Sequence, residues 1–294
     1  MVKDSVKRDV NIVVISDVHL ATYGCRAQEL LNYLQTVNPE TLILNGDIID
    51  MWQFNKRYFP TSHLKVVKYI TSLMVKGTQV YYITGNHDEM LRKFNGFNIG
   101  AFQIVNKLVL DLDGEKAWFF HGDVFDVTMR HSKWLAKLGG HGYDMLILLN
   151  TMVNWISQKM GHGRLSLSKR IKNTVKQAVS HINDFEKTVV DMAMYKKYEY
   201  VVCGHIHQPQ SLEVLGPEGR KVTYLNSGDW VEHMTALEYN SGKWKIYEYL
   251  KDPVAQSLSG EETEFDIAEN EKLGNSKDIF NHLVKEFEFD ETKI

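Results

Sequence analysis

The chain has 294 residues, of which 44% are hydrophobic and 24% charged, with 20 glycines and only 5 prolines. This composition excludes a fibrous, collagen-like or disordered protein and fits one large domain with additions, or two small domains. The net charge of −3 is unevenly distributed, because residues 251–294 hold 12 acidic and 5 basic side chains, whereas residues 126–197 hold 12 basic and 5 acidic ones. A basic region suits an anionic partner such as phosphate, nucleic acid or an anionic lipid surface, but a solvated face explains it as well.

The N-terminus and the cysteines predict a soluble cytoplasmic protein. Residues 1–16 pass directly from charged residues into an apolar strand, without the apolar segment of a signal peptide. No window approaches eighteen apolar residues, so no membrane span is predicted. Cys25 and Cys203 lack CxxC spacing and are interpreted as unpaired thiols in a reducing compartment.

The first half of the chain alternates buried strands with amphipathic helices. Strands are predicted at 10–16, 41–47 and 79–88, and helices at 26–37 and 63–77. This alternation is typical of an α/β fold with an at least partly parallel sheet.

The second half combines strands with a helical insertion. A hairpin is predicted at 104–123 around Asp113-Gly114, helices at 126–197, and strands at 198–207, 221–230 and 235–250. Residues 1–250 therefore form the predicted domain, interrupted by the insertion at 126–197. Residues 251–294 form an acidic tail that is at most partly ordered, with a loose linker at 251–277 and a terminal helix at 278–289.

Polar side chains follow five of the predicted strands at the point where each apolar run ends. They are Asp17 and His19, then Asp47, then Asn86, His87 and Asp88, then His121, and finally His205 and His207. Residues i and i+2 of an extended chain point the same way, so Asp17 and His19 are aimed at a common point. Ligands of open α/β sheets bind at the carboxyl ends of the strands. Five such coincidences indicate a site rather than packing.

The donor types indicate a metal centre. Carboxylates, imidazoles and one amide, without a thiolate, suit Mn²⁺, Fe²⁺ or Zn²⁺. Seven candidate ligands are too many for one catalytic ion that keeps a position open. They suit two divalent ions about 3.5–4 Å apart, with Asp47 as the central candidate for a bridging carboxylate.

The blocks S-D-V-H, N-G-D, G-N-H-D, F-H-G-D and G-H-I-H resemble, in type and order, those of the calcineurin-like metallophosphoesterase superfamily. The resemblance covers residues 10–230 and implies a four-layer α-β-β-α sandwich with two metals at its edge. It implies one ion held by Asp17, His19, Asp47 and His207, and the other by Asp47, Asn86, His121 and His205.

The same resemblance implies a role for His87 other than metal binding. In such families this histidine faces the phosphate, where it protonates the leaving oxygen or stabilises phosphoryl charge, and we expect Asp88 to orient its ring. A purely structural role for His87 is the alternative. Asp50 and Asp123 are expected to support the ligands or to cap turns. The predicted reaction is attack of a metal-bridging hydroxide on phosphorus.

The insertion offers candidate substrate contacts. Residues 143–160 are apolar and rich in Met, and residues 157–176 contain six Lys or Arg and no acid. An apolar helix beside a basic one suits acyl chains and anionic headgroups, whereas the core of a helical subdomain with solvated cations is the alternative. The candidate contacts are Trp155, Arg164, Lys169, Arg170 and, in the NSGDW block, Asp229.

A narrower resemblance concerns the substrate. The stretches NGDIIDMWQ, GNHDEMLRKF, CGHIHQP and NSGDWVEHMTALEY look like those of the UDP-2,3-diacylglucosamine hydrolase group, which cleaves a UDP-linked diacylated sugar pyrophosphate in lipid A biosynthesis. This implies such a nucleotide-linked lipid as substrate. Mn²⁺ is the expected cofactor, with Fe²⁺ or Zn²⁺ as alternatives, and residues 143–176 predict peripheral contact with the inner face of a membrane. Well-studied members of that group carry Arg where this chain has His87, so a sister branch with another phosphoester substrate stays open.

Two further alternatives remain at this stage. One is a general phosphodiesterase, phosphatase or nuclease. Nucleic acid is the less expected partner, because the basic residues adjoin an apolar helix rather than an open groove with stacking aromatics. The other is an inactive scaffold, which would be expected to lack ligands, whereas none of the seven is missing.

Overall fold

The computed structural model describes residues 7–52, 59–125, 182 and 184–258. The strands are β1 (Arg8–Ile15), β2 (Val37–Asn45), β3 (Gln79–Ile83), β4 (Asn98–Ile99), β5 (Phe102–Val105), β6 (Leu108–Leu112), β7 (Glu115–Phe119), β8 (Tyr200–Cys203), β9 (Gln210–Leu215), β10 (Lys221–Asn226), β11 (Thr235–Asn240) and β12 (Lys243–Glu248). The helices are α1 (Ala27–Thr36), α2 (Thr61–Val75), α3 (184–196) and α4 (Pro253–Ser257).

The strands form two sheets. The first has the order β12-β11-β1-β2-β3-β5-β4, and the second has the order β6-β7-β8-β10-β9. In the first sheet β1, β2, β3 and β5 run parallel to one another, and in the second β7, β8 and β10 do. Parallel neighbours place their carboxyl ends at one edge, which is where the polar motifs lie.

Side-chain alternation along β1 sorts its residues between two core layers. Ile12 and Val14 pack between the sheets, with Ile43 of the first sheet and Phe119 and Val202 of the second. Val13 and Ile15 point the opposite way and join the buried faces of α1 and α2. Each fully buried side chain of this kind stabilises the fold by roughly 1.5–3 kcal/mol.

The second sheet is covered by α3. Phe185, Val189 and Ala193 of this helix pack on Val201 and Tyr224. With α1 and α2 on the other side, the layers follow the order α-β-β-α, and the predicted four-layer sandwich is confirmed. No helix in the described ranges is both long and apolar enough to cross a membrane.

The predicted hairpin at 104–123 is shorter in the structure. It consists of β6 and β7 and turns at Asp113 and Gly114, whose φ angles of 57° and 91° suit a tight turn. Residues 102–105 belong instead to β5 in the other sheet. Strand β9, whose side chains are mostly exposed, was not predicted because an exposed edge strand lacks an apolar pattern.

The acidic tail begins later than its composition suggested. Helix α4 occupies residues predicted as linker, because Asp252 caps it by accepting hydrogen bonds from the backbone N–H groups of Val254 and Ala255. Ala255 is buried in the core beside α1. The rest of the tail, the helix predicted at 278–289 and residues 126–181 of the insertion lie outside the described residues, so the domain boundaries stay a prediction.

Candidate metal centre

Two groups of three side chains converge at the carboxyl edge of the sheets. Asp17, His19 and His207 offer ligand atoms that lie within 4.8 Å of one another, and so do Asp47, His121 and His205. Nε2 of His207 lies 3.2 Å from Oδ1 of Asp17, and Nε2 of His121 lies 3.1 Å from Oδ2 of Asp47. Each group therefore contains a carboxylate and at least one imidazole from a distant part of the chain.

In both Asp17 and Asp47, one carboxylate oxygen accepts a backbone hydrogen bond and the other faces a histidine. Oδ2 of Asp17 accepts the backbone N–H of His205 at 3.0 Å, and Oδ1 faces His207. Oδ1 of Asp47 accepts the backbone N–H of His87 at 2.8 Å, and Oδ2 faces His121. One oxygen of each residue thus fixes a neighbouring motif and the other remains directed into the centre.

The backbone at these positions adopts left-handed conformations. The φ angles are 51° at Asp17, 53° at His19 and Asp47, 68° at His205 and 56° at His207. Such a conformation costs a residue other than glycine of order 1–3 kcal/mol and persists where the surroundings impose it, commonly at functional sites. It also explains why the strands predicted over 41–47 and 198–207 stop before their last polar residues.

Two glycines allow the motifs to approach one another. A Cβ on Gly85 would lie 2.2 Å from Oδ1 of Asp47, and one on Gly204 would lie 2.5 Å from Oδ2 of Asp17. Real Cβ atoms do not come so close to other heavy atoms, so any side chain at either position would displace a carboxylate.

Four atoms in the centre are buried without a hydrogen bond from any described residue: Oδ1 of Asp17, Nε2 of His19, Oδ1 of Asn86 and Nε2 of His121. Nδ1 of His121 lies 2.9 Å from the carbonyl oxygen of Asn45. Because a carbonyl only accepts, Nδ1 carries a proton, and Nε2 is the nitrogen left to bind a cation. Unsatisfied oxygen and nitrogen lone pairs of this kind fit a borderline divalent cation.

The charges in the centre shift each other's protonation. Burial would raise the pKa of Asp17, but the imidazoles of His207 and His121 outweigh burial and lower that pKa to about 2. Burial would lower the pKa of His207, but Asp17 outweighs it and raises that pKa to about 9. At neutral pH without metal, Asp17 is therefore ionised and His207 carries a proton that a bound cation would displace.

His87 lies beside this centre and is held on three sides. Its Nδ1 lies 2.9 Å from Oδ2 of Asp50. The centroid of its ring lies 4.4 Å from that of the tilted Trp52 ring and 4.6 Å from that of the His19 ring, which meets it edge-on. Because an ionised carboxylate only accepts, the ring donates from Nδ1. His19, Asp50 and His87 also have ligand atoms within 4.8 Å of one another.

The prediction that Asp88 orients His87 is wrong. The carboxylate of Asp88 is fully buried and accepts from the backbone N–H groups of Gly85 and Ile48 and from the hydroxyl of Tyr82. These bonds hold the loop rather than the imidazole, which Asp50 holds instead. The supporting role expected of Asp50 thus becomes a specific contact with the ring of His87.

Asp229 is likewise not in a position to contact substrate. Its carboxylate is fully buried, accepts from the backbone of Val231, Glu232 and His233, and faces Nδ1 of His233 and of His207. The predicted direct role is corrected to a supporting one, because both oxygens are engaged inside the protein. The other predicted contacts, Trp155, Arg164, Lys169 and Arg170, lie outside the described residues.

Arg92 was not singled out from the sequence. Its guanidinium donates to the carbonyl of Gly85 and to the carboxylate of Asp123, so it links the loops that carry Asn86 and His121. A cavity of about 120 Å³ opens beside this pair and is also lined by His121 and Asn106. No spacing rule connects Arg92 with Asp123, because they lie 31 residues apart.

The chain is similar to curated proteins named UDP-2,3-diacylglucosamine hydrolase. It is 26% identical to that of Aliivibrio fischeri, over 82% of this chain and 98% of the relative. It is 24% identical to that of Pseudomonas fluorescens, over 85% and 99%. Among solved structures, an archaeal phosphodiesterase is 16% identical over 81% of this chain and 98% of that one, with a TM-score of 0.39.

The match to a family model decides the classification. The calcineurin-like phosphoesterase model matches residues 10–209, which is more than half of the chain and contains all seven predicted metal ligands. The chain therefore belongs to the calcineurin-like phosphoesterase family and is a phosphoester hydrolase.

Proposed function

We propose that the chain is a two-metal enzyme that hydrolyses the pyrophosphate bond of a nucleotide-linked lipid of the UDP-2,3-diacylglucosamine type. The proposed two-metal site is supported by the pair of carboxylate–histidine groups and by their buried atoms that have no hydrogen-bond partner. When bound there, two divalent cations, with Mn²⁺ as our first choice, supply an activated water and neutralise phosphoryl charge.

The ligand assignment follows the two groups. One ion would be held by Asp17, His19, Asp47 and His207, and the other by Asp47, Asn86, His121 and His205. Asp47 is the proposed shared ligand, since its Oδ2 faces His121 of the second group and its backbone carbonyl, which accepts the N–H groups of Val18 and His19, holds it beside the first group. Asn86 supplies the amide oxygen that is otherwise unsatisfied.

His87 is the proposed catalytic residue. Asp50 accepts the proton on its Nδ1, which leaves Nε2 to act on the substrate. Protonated at Nε2, the ring donates to the leaving oxygen and stabilises negative charge on it as the bond to phosphorus breaks. Trp52 and His19 prevent the ring from turning away.

A lipid-linked substrate is supported by the relatives' names and by the surface near the motifs. The relatives named UDP-2,3-diacylglucosamine hydrolase match over nearly their whole length. Large apolar side chains are exposed in the segments that follow four of the motifs: Tyr23, Trp52, Met90 and Val124. Such residues suit contact with acyl chains, and we place the enzyme in the cytoplasm, at the anionic inner face of a membrane.

A general phosphodiesterase is the second candidate, favoured by His87 where the hydrolase group carries Arg. The decisive experiment incubates the Mn²⁺-loaded protein with UDP-2,3-diacylglucosamine and with bis(4-nitrophenyl) phosphate. We expect UMP from the first substrate and loss of both activities in Asp47→Ala. Aryl diester hydrolysis without UMP would establish the second candidate, and no hydrolysis of either substrate would contradict both.

A further inference from the structure

The buried carboxylate of Asp229 uses its two oxygens differently. Oδ1 accepts three backbone N–H groups, those of Val231 at 2.8 Å, Glu232 at 2.5 Å and His233 at 3.1 Å. These bonds build the turn that follows β10. Oδ2 makes none of them and is directed to two imidazoles.

The two imidazoles differ in their distance from Oδ2. Nδ1 of His233 lies 2.7 Å away and donates a hydrogen bond, and Nδ1 of His207 lies 3.8 Å away, an electrostatic contact. The side chain of His207 is 39% exposed, whereas that of His121 is fully buried. Packing alone therefore fixes the ring of His207 less firmly than that of His121.

We propose that Asp229 is a positioning residue that orients His207 for metal binding. A negative charge facing Nδ1 favours the proton on that nitrogen, so Nε2, on the side of Asp17, is the nitrogen that would give up its proton to a cation. Nε2 is the atom that lies 3.2 Å from Oδ1 of Asp17. The inference rests on the proposed role of His207 as a ligand and adds a residue that acts through it.

The turn that carries Asp229 is also fixed to the other ligand of the same group. The backbone N–H of Trp230 donates to the carbonyl of Asp17 at 3.1 Å, and Oγ of Ser16 lies 2.7 Å from Oγ of Ser227. The charge of Asp229 is therefore held relative to both Asp17 and His207. Because the turn that contains Asp229 is bonded to the backbone of Asp17, the Asp229 carboxylate helps to keep His207 close to Asp17.

The test measures Mn²⁺ binding rather than activity, in Asp229→Asn, His207→Ala and a matched control. The control is Asp252→Asn, because Asp252 also accepts two backbone N–H groups and one side-chain donor, the hydroxyl of Tyr247. Stoichiometry is measured by elemental analysis and affinity by chelator competition. In Asp229→Asn we expect one of two ions to bind about 10–100-fold more weakly, while Asp252→Asn binds as the wild type does.

The outcomes separate this inference from the proposed function. Two ions bound with wild-type affinity in His207→Ala would contradict the ligand assignment itself. Loss of one ion in His207→Ala, with unchanged binding in a folded Asp229→Asn, would overturn only the role of Asp229.

A second variant and a second measurement do not depend on the folding of Asp229→Asn. His233→Ala keeps the charge facing His207 and should bind both ions as the wild type does, so a loss equal to that of Asp229→Asn would overturn the inference. In wild-type protein labelled with ¹⁵N-histidine and loaded with Zn²⁺, NMR should show His207 bound through Nε2 and protonated at Nδ1. Binding through Nδ1 would overturn the inference.

Discussion

Oδ2 of Asp17 accepts the backbone N–H of His205 at 3.0 Å across 188 residues of sequence. The bond joins the loop after β1 to the loop after β8, so a predicted ligand in one sheet fixes the backbone of a predicted ligand in the other. Asp17 therefore has a structural task in addition to its proposed metal-binding task.

The two tasks of Asp17 can be separated by two substitutions. Asp17→Asn keeps an acceptor for His205 but removes the charge, so we expect weaker metal binding with little loss of stability. Asp17→Ala leaves the N–H of His205 without its acceptor and should cost a further 1–3 kcal/mol or so. Denaturant unfolding in EDTA and elemental analysis of the purified proteins measure the two effects. Equal unfolding free energies for both variants would contradict the structural task.

Asp50 and His87 should act as one unit in catalysis. Asp50→Asn leaves the ring of His87 without its charged partner, and we expect kcat to fall by about 10–100-fold at saturating Mn²⁺, which is part of the 10²–10⁴-fold that general acid–base catalysis typically contributes. His87→Gln should lose at least as much. The double variant should be no slower than His87→Gln, because two residues that act through one proton are not additive.

Asp88→Asn is the matched control for Asp50→Asn, since it changes a neighbouring buried carboxylate that does not touch His87. Its hydrogen bonds hold Gly85, Ile48 and Tyr82. We expect Asp88→Asn to lower the stability of the protein. Any effect that it has on kcat should multiply with the effect of His87→Gln in the double variant. Multiplicative effects for the pair Asp50 and His87 would contradict the proposed unit.

Gly85 should tolerate no side chain, for a steric reason. In Gly85→Ala the new Cβ would lie 2.2 Å from Oδ1 of Asp47 and 2.6 Å from its backbone nitrogen. We expect a loss of roughly 1–3 kcal/mol in unfolding free energy, together with weaker metal binding. Gly24→Ala is the control, because its Cβ would meet only Cγ1 of Val231, at 3.3 Å. Thermal unfolding and metal analysis of both variants check this, and equal effects would contradict it.

The sequence predicts the fold and the positions of the ligand motifs because both depend on local patterns. Apolar runs of strand length identify β1, β2, β3 and β8. The polar residues that follow these runs mark the edge of the sheets at which the strand ends converge. The partner of His87 was mispredicted because adjacency along the chain favoured Asp88, whereas the loop turns Asp88 inward to its own backbone. The contacts of Arg92 with Asp123 and of Asp229 with His207 depend on how distant loops pack, which no spacing in the sequence records.

His63 should make the stability of the fold depend on pH. Its Nδ1 accepts the backbone N–H of Ala21 at 2.9 Å, in the loop that follows His19, and burial lowers its pKa from 6.5. The imidazole must be neutral to accept, so the unfolded chain binds a proton that the folded chain excludes. The stabilisation is therefore fully present above pH 6.5 and is lost as the pH falls below that value.

The variant His63→Asn keeps an acceptor near the same place but does not titrate. We expect the wild type to exceed it in unfolding free energy at pH 8, and the excess to shrink between pH 7 and pH 5, by at most about 1.4 kcal/mol per pH unit for one proton. Denaturant unfolding of both proteins in EDTA at each pH measures the difference. The other histidines are common to both proteins and cancel, so a difference that stays constant from pH 8 to pH 5 would show that His63 is not the group that titrates.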